Sequence, residues 1–396
     1  MIECENAPSA DGRSWVDVDP DANAPSADGR SWVEIDLDAL SQNVSALRAC
    51  LPRRCDLMAV VKADAYGHGA EAVAKRLWRE GVGSFAVATL SEGALLREAV
   101  PEGEILVLGY THPKDAGLLS ARRLTQLAVD GAYAKALNET GYKINAHIAI
   151  DTGMHRLGIE SSTAAEIESV FECENLTVTG VATHLASSDS SETDDIEFTN
   201  NQIERFNTAV DALRRGGRDV GKLHVQASYG VCNYPGLEYD YARAGIMLYG
   251  VMSHDGKTEI KPALRPVLSL RARVAQVRWI STGDSVSYGR AFKAEKPVRI
   301  ATVCAGYADG FPRQASGNGG QLLVRGRKVP IIGRVCMDMV MADVTGADDV
   351  CPGDIATLIG TDGDEEARCE DVALASGTIT NDILCRLGSR LPRIYV

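Results

Sequence analysis

The run AVVKADAYGHGA, residues 59–70, passes from a short apolar, β-rich stretch straight into a glycine turn, with Lys62 at the junction. The next stretch, AEAVAKRLWREG at 70–81, puts Val73, Leu77 and Trp78 on one helical face and turns Lys75, Arg76 and Arg79 elsewhere. Strand, turn and helix form one unit, and the unit repeats. Further β-rich runs follow at 84–89, 105–109, 124–130, 144–151, 176–185, 222–228 and 242–250, most of them separated by amphipathic stretches. With the run at 57–63 they make eight, and eight strands joined by helical crossovers predict an α/β fold, an N-terminal (β/α)8 TIM-type barrel. Active sites in such barrels gather at the C-terminal ends of the strands. Lys62, His184, Ser228 and Arg243 fall at or near strand ends, and Arg156 follows one closely, which points to a single site.

The texture changes after about residue 265. VLSLRARVAQVRWI (267–280) alternates apolar and polar positions, and shorter β-rich runs follow between Gly- and Asp-rich turns. This predicts a mostly antiparallel C-terminal β domain over 265–396, with one helix at 370–388 before the final LPRIYV. The barrel domain is expected over 30–264, and a strand at 31–36 is expected to pair with the C-terminal domain. Residues 1–29 are expected to be a disordered arm, because NAPSADGRSWV occurs at 6–16 and again at 23–33 in a stretch rich in Asn, Pro, Ser, Asp and Gly.

Composition narrows the function. The net charge of −13 disfavours nucleic acid and anionic membrane surfaces as partners. No apolar run approaches the ~20 residues of a membrane span, and the acidic N-terminus is not a secretory signal. The ten cysteines are scattered with no C-x-x-C pair, and the seven histidines lie far apart. That pattern suits reduced thiols in the cytoplasm and no metal site.

A lysine at an apolar strand end has two readings. It snorkels, leaving its ammonium in water, or it is a nucleophilic amine that forms a Schiff base with an aldehyde. Pyridoxal phosphate is the common aldehyde cofactor, and it needs a phosphate cup, a partner for its ring nitrogen and a cation for the substrate carboxylate. Tyr66, Ser228 and the Gly245 and Ile246 amides are candidates for the cup, and Arg156 for the carboxylate.

These residues lie in motifs that resemble the alanine racemases. VVKADAYGHG carries the cofactor-lysine motif, followed in family order by DTGMHRLG (151–158), THLA (183–186), HVQAS (224–228), RAGIMLYG (243–250), VSYGRAF (286–292), GYADGFPR (306–313), GRVCMDM (333–339) and RLPRIY (390–395). The resemblance implies bound pyridoxal 5′-phosphate, a small amino acid as substrate and a homodimer with shared active sites. It implies that Lys62 holds the cofactor and is one catalytic base, and that Tyr288 of the partner subunit is the other. Arg243 would face the pyridine nitrogen. Arg156 would hold the substrate carboxylate. Tyr66, Ser228, Gly245, Ile246 and Tyr395 would hold the phosphate. His184 and His224 would form a relay behind Arg243 and Tyr288, with Tyr307, Cys336, Met337 and Asp338 of the partner subunit at the substrate end.

Arginine is effectively always protonated, so it would donate to the ring nitrogen and leave it unprotonated. Decarboxylases of the same two-domain plan place a carboxylate there, so Arg243 favours racemisation over diamino-acid decarboxylation. Ala227 stands where the family has asparagine, and Ala149 where many members carry a modified lysine that orients the arginine. His155 replaces the usual glycine. HVQASYGVCNYP is similar to the serine/alanine racemase branch. Alanine is the expected substrate and serine the second.

Overall fold

The computed structural model describes residues 29–254 and 256–396, so the duplicated arm lies outside the described residues up to position 28. The chain divides into two compact units, one over Leu37–Val267 and one built from the residues before Leu37 together with Leu268–Val396.

β1 spans Ser31–Ile35. The strands of the first unit are β2 (Asp56–Val60), β3 (Ser84–Val87), β4 (Glu104–Val107), β5 (Thr125–Ala128), β6 (Ile144–Asp151), β7 (Ile159–Glu160), β8 (Leu176–Ala182), β9 (Lys222–Ala227) and β10 (Tyr241–Ala244). All but β7 pair in parallel around a closed ring of eight, with β10 returning to β2, and β7 adds two residues beside β6. The barrel predicted from the eight repeated runs is therefore the observed architecture. Every residue of β3, β5 and β10 is buried. Helices cover the outer face of a parallel sheet, so both faces need apolar side chains, and the strands read as short apolar runs. The helix Ala70–Arg79 buries Val73, Ala74 and Leu77 against it.

Two expectations need correction here. The run expected as a strand over 242–250 stops at Ala244: Gly245, at φ −117° and ψ −100°, leaves the extended region, and Ile246–Tyr249 form a 3-10 turn. The run at 57–63 likewise ends at Val60, so Lys62 stands beyond the strand. Ala63, Asp64, Ala65 and Tyr66 then wind left-handed, with φ of 52–54°. For side chains bearing a Cβ this costs about 1–2 kcal/mol per residue, so it needs local compensation. The Ala63 amide donates to Glu92 Oε1 at 2.8 Å and the Ala70 amide to Asp64 Oδ1 at 2.7 Å. His68 Nδ1 lies 2.9 Å from the Ala65 carbonyl and 3.0 Å from the Tyr66 carbonyl. Both partners are acceptors, so Nδ1 carries the proton.

The second unit holds β11 (Leu268–Ile280), β12 (Ser285–Val286), β13 (Phe292–Lys293), β14 (Val298–Val303), β15 (Gln321–Val324), β16 (Arg327–Pro330), β17 (Val340–Asp343), β18 (Ile355–Asp362), β19 (Glu365–Ala367) and β20 (Arg393–Tyr395). The main path runs β16-β15-β18-β11-β1-β20, with β14, β17 and β19 branching from it. β1 pairs antiparallel with β11, Val33 opposite Leu270, and parallel with β20, Ile35 opposite Tyr395. Along β11, Leu268, Leu270, Ala272 and Val274 are buried in strict alternation, the period-two signature legible in the sequence. The single helix expected at 370–388 is two, Cys369–Ser376 and Thr380–Arg386. Gly377, at φ 66°, caps the first in the left-handed conformation and ends it.

Candidate active site

Arg243, on β10, is the centre of the barrel unit's cluster. Its guanidinium is buried and meets five acceptors. Nη1 lies 2.7 Å from His224 Nδ1 and 2.9 Å from the His224 carbonyl. Nη2 lies 2.7 Å from the Thr183 carbonyl, 3.0 Å from the Val225 carbonyl and 3.1 Å from His184 Nδ1. Burial, with Arg156 nearby, lowers the Arg243 pKa to about 10, which leaves it charged at neutral pH. His184 is pulled down to about 3, first by burial and then by the charges of Arg243, Arg156 and Lys62. His224 is held well below its ordinary value by burial, Arg243 and His147. Both rings are therefore neutral acceptors toward a fixed cation, and His184 lies within electrostatic reach of Lys62 and Arg156.

A second group converges where β10 ends. The Gly245 amide donates to Ser228 Oγ at 3.0 Å. A Cβ at Gly245 would come 2.7 Å from Tyr66 Oη, so the glycine leaves the space that the phenol faces. The Tyr66 ring lies 5.1 Å from that of Tyr249, which also stacks on His68 at 4.3 Å. Tyr249 Oη donates to the Val60 carbonyl at 3.0 Å, fixing this aromatic wall to the end of β2.

Arg156 is exposed on the loop after β6. Asp151 organises that loop, accepting from the Gly153 amide at 2.9 Å, the His155 amide at 3.1 Å and the His155 ring at 2.9 Å. His155 takes φ 53°, the left-handed region that glycine adopts without strain, and its ring bond to Asp151 helps to offset the cost. With Ala149 buried in β6, the loop is tied elsewhere: Gln202 reaches Thr152 Oγ1 and the His184 carbonyl, each at 3.2 Å, and Arg205 reaches the Thr152 carbonyl at 3.1 Å. Helix Thr193–Arg215 thus joins the loops carrying Arg156 and His184.

In the second unit, Tyr288 is 69% exposed on a turn held by Ser287 (φ 69°), Gly289 (φ 68°) and Arg290 (φ 51°). Ser287 Oγ donates to the Arg334 carbonyl at 2.8 Å and stands 3.8 Å from Cys336 Sγ. The Tyr307 amide donates to the Cys336 carbonyl at 3.0 Å, and the Ala308 amide to the Met337 carbonyl at 2.9 Å. Gly306 permits that approach, since a Cβ there would come 2.4 Å from both carbonyls. Asp338 accepts from Arg390 at 2.9 Å. Tyr288, Tyr307, Cys336, Met337 and Asp338 thus share one linked set of loops. Tyr395 stands on β20.

The alanine racemase N-terminal domain family matches residues 35–253, and its C-terminal domain family matches 267–395. The chain belongs to the alanine racemase family. It is 43% identical to an amino-acid racemase of Enterococcus faecalis over 89% of its own length and 50% of that protein. It is 39% identical to a serine/alanine racemase of Enterococcus gallinarum over 89% of its length and 50% of that protein. The chain thus spans about half the length of these relatives. An alanine racemase of Carboxydothermus hydrogenoformans is 41% identical, with 87% of this chain and 94% of that one covered. The solved alanine racemase of Clostridium difficile 630 superposes with a TM-score of 0.85 at 31% identity, covering 93% of this chain and 96% of that chain.

Around these motifs the alanine racemase fold recruits side chains that the sequence reading passed over. Glu92 bonds the Ala63 amide with one carboxylate oxygen, and with the other it accepts from the Ala88 amide at 2.7 Å and the Thr89 amide at 3.1 Å. The capping pattern T-x-x-E at 89–92 was its legible signal. Tyr249 and Gln202 carried no signal beyond apolar and helical context. His147 is buried in β6 with its Nδ1 2.8 Å from His224 Nε2, and a histidine inside the apolar run INAHIAID was the clue to it.

Proposed function

We propose that the protein is a pyridoxal-phosphate-dependent racemase that interconverts L- and D-alanine, accepts serine as a second substrate and works as a homodimer with shared sites in the cytoplasm. The observation that carries this reading is Arg243: a buried, donor-only cation backed by two neutral imidazoles, one of which, His184, also feels the charges of Lys62 and Arg156. The residues fit the cofactor. The Tyr66 and Ser228 hydroxyls converge on Gly245, a donor set that suits a phosphate, and Arg243 suits a ring nitrogen that accepts.

In this reading Tyr66, Ser228, Gly245 and Ile246 hold the phosphate. Lys62 would hold the cofactor through its amine. When bound, the cofactor supplies the electron sink that stabilises charge at the substrate α-carbon. Lys62 Nζ removes or returns the α-proton on one face, and the Tyr288 hydroxyl of a second subunit does so on the other. Arg156 orients the carboxylate, and Tyr307, Cys336, Met337 and Asp338 of the partner subunit shape the substrate end. Arg243 would donate a hydrogen bond to the ring nitrogen without giving up its proton. The exposure of Tyr288 suits a side chain offered to another subunit, and the nine described cysteines are all free thiols, as a reducing compartment allows. The serine/alanine racemase relative supports serine as the second substrate.

The test is circular dichroism of L-alanine and of L-serine incubated with pure protein, with and without pyridoxal phosphate. Loss of optical activity with both, faster with alanine and dependent on the cofactor, is the expected result. Tyr288→Phe should abolish most turnover while the bound cofactor keeps its absorbance. Unchanged turnover would remove the two-base assignment.

A further inference from the structure

Behind Arg243 the hydrogen bonds continue across the barrel. His224 Nδ1 accepts from Arg243 at 2.7 Å, and its Nε2 lies 2.8 Å from His147 Nδ1. His147 Nε2 stands 3.1 Å from Glu104 Oε1, angled rather than in line. Arg243, His224, His147 and Glu104 sit on β10, β9, β6 and β4, so the series crosses the interior instead of following one sheet edge. Both rings are fully buried, and Gly180 makes room for the second, since a Cβ there would come 2.7 Å from His147 Nε2. Glu104 is 22% exposed at the start of its strand. Burial works against its charge, but hydrogen bonds from His147, Tyr241 and Ser84 prevail and hold its carboxyl below the usual range.

The ends of this series are chemically opposite. A guanidinium only donates, and an ionised carboxylate only accepts. Between them each neutral imidazole has one donor and one acceptor, so only one arrangement leaves every donor facing an acceptor, the last of these contacts being angled. Arg243 donates to His224 Nδ1, His224 Nε2–H donates to His147 Nδ1, and His147 Nε2–H meets Glu104 Oε1 off the line of the bond. Without the carboxylate, His147 would bury an N–H that lacks an acceptor. Reversing both rings removes that penalty but turns an imidazole N–H against the guanidinium, which would push Arg243 from its place.

We propose that Glu104 is a positioning residue for Arg243, acting through the aligned rings of His147 and His224. The catalytic consequence rests on the function proposed above, whereas the alignment itself does not. Nitrogen-15 NMR of the histidine rings in the cofactor-free protein tests the alignment, with circular dichroism confirming the fold of each variant. The wild type should show His147 and His224 wholly as Nε2–H tautomers. Glu104→Gln keeps a carbonyl acceptor and should retain them, while Glu104→Leu should give a mixed or reversed tautomer at His147. Wild-type tautomers in folded Glu104→Leu, or an Nδ1–H ring at either histidine in the wild type, would overturn the proposal. With cofactor and alanine, Glu104→Leu should lose at least tenfold in kcat with little change in KM, and Glu104→Gln should recover most of it. An unchanged kcat in Glu104→Leu would also overturn it. A wild type that never racemises alanine would instead sink the functional reading, with the NMR result still standing.

Discussion

The Tyr66 hydroxyl faces Gly245 so closely that a methyl group on the glycine would come within 2.7 Å of the oxygen. The left-handed turn at Ala63–Tyr66 and the break of β10 at Gly245 therefore serve one geometry. One brings a phenol to the end of the barrel, and the other keeps that end open. Gly245→Ala should displace Tyr66 and deny the phosphate one charge-assisted hydrogen bond. Such a bond is worth about 1.5–3 kcal/mol, so cofactor affinity should fall roughly 10- to 100-fold. Absorbance titration with pyridoxal phosphate measures the loss. Unchanged affinity would mean that Tyr66 does not reach the phosphate.

Arg243→Lys tests the fork. The guanidinium serves two imidazole nitrogens and three carbonyls, which a single ammonium cannot match. Buried acceptors left unpaired cost about 1–3 kcal/mol each, so the lysine variant should melt several degrees lower. Its racemisation rate should fall by roughly 100-fold or more, the scale of losing a preorganised donor at a reacting group. Thermal melts and kcat on alanine read the two effects separately.

The barrel was legible because its strands and helices alternate in short, regular units, and the grouping of Arg243 with His184 because they fall at or near strand ends. The left-handed turn was not. Ala63, Asp64, Ala65 and Tyr66 include no glycine, so propensity contains no hint of four positive φ values. Only Gly67 and Gly69 announced a turn, without its hand. The link between His147 and Glu104 was hidden for another reason: they lie on different strands, and barrel closure alone brings them together. The over-long helix at 370–388 shows the limit of periodicity, because Gly377 can be a tolerated helix residue or a cap.

Acid stability follows from the two histidines on Arg243. In the fold His184 titrates at about 3 rather than 6.5, chiefly through burial, and His224 is shifted the same way for the same leading reason. The unfolded chain takes up these protons below about pH 6.5, whereas the folded protein resists them. Their contribution is fully present above that pH and is lost on acidification toward about 3. The slope is at most about 1.4 kcal/mol per pH unit for each histidine. His184→Gln should flatten the dependence of the urea midpoint on pH between about 6.5 and 4. An equally steep profile in the variant would show that His184 is not held neutral.

The strained turn makes a prediction of opposite sign to ordinary helix rules. Ala72 lies in the right-handed helix Ala70–Arg79, where glycine costs about 1 kcal/mol relative to alanine. Ala63 is exposed at φ 52° and ψ 51°, where alanine pays the left-handed penalty and glycine does not. Glycine also gains freedom in the unfolded chain, which offsets part of the relief by about 0.5–1 kcal/mol. Ala63→Gly should therefore be neutral or stabilising by up to about 1 kcal/mol, and Ala72→Gly destabilising by about 1 kcal/mol. Chemical denaturation of the two variants under one condition gives the comparison. Equal losses at both positions would mean that Ala63 is not left-handed in solution, and Tyr66 would then lose the turn that carries its hydroxyl to Gly245.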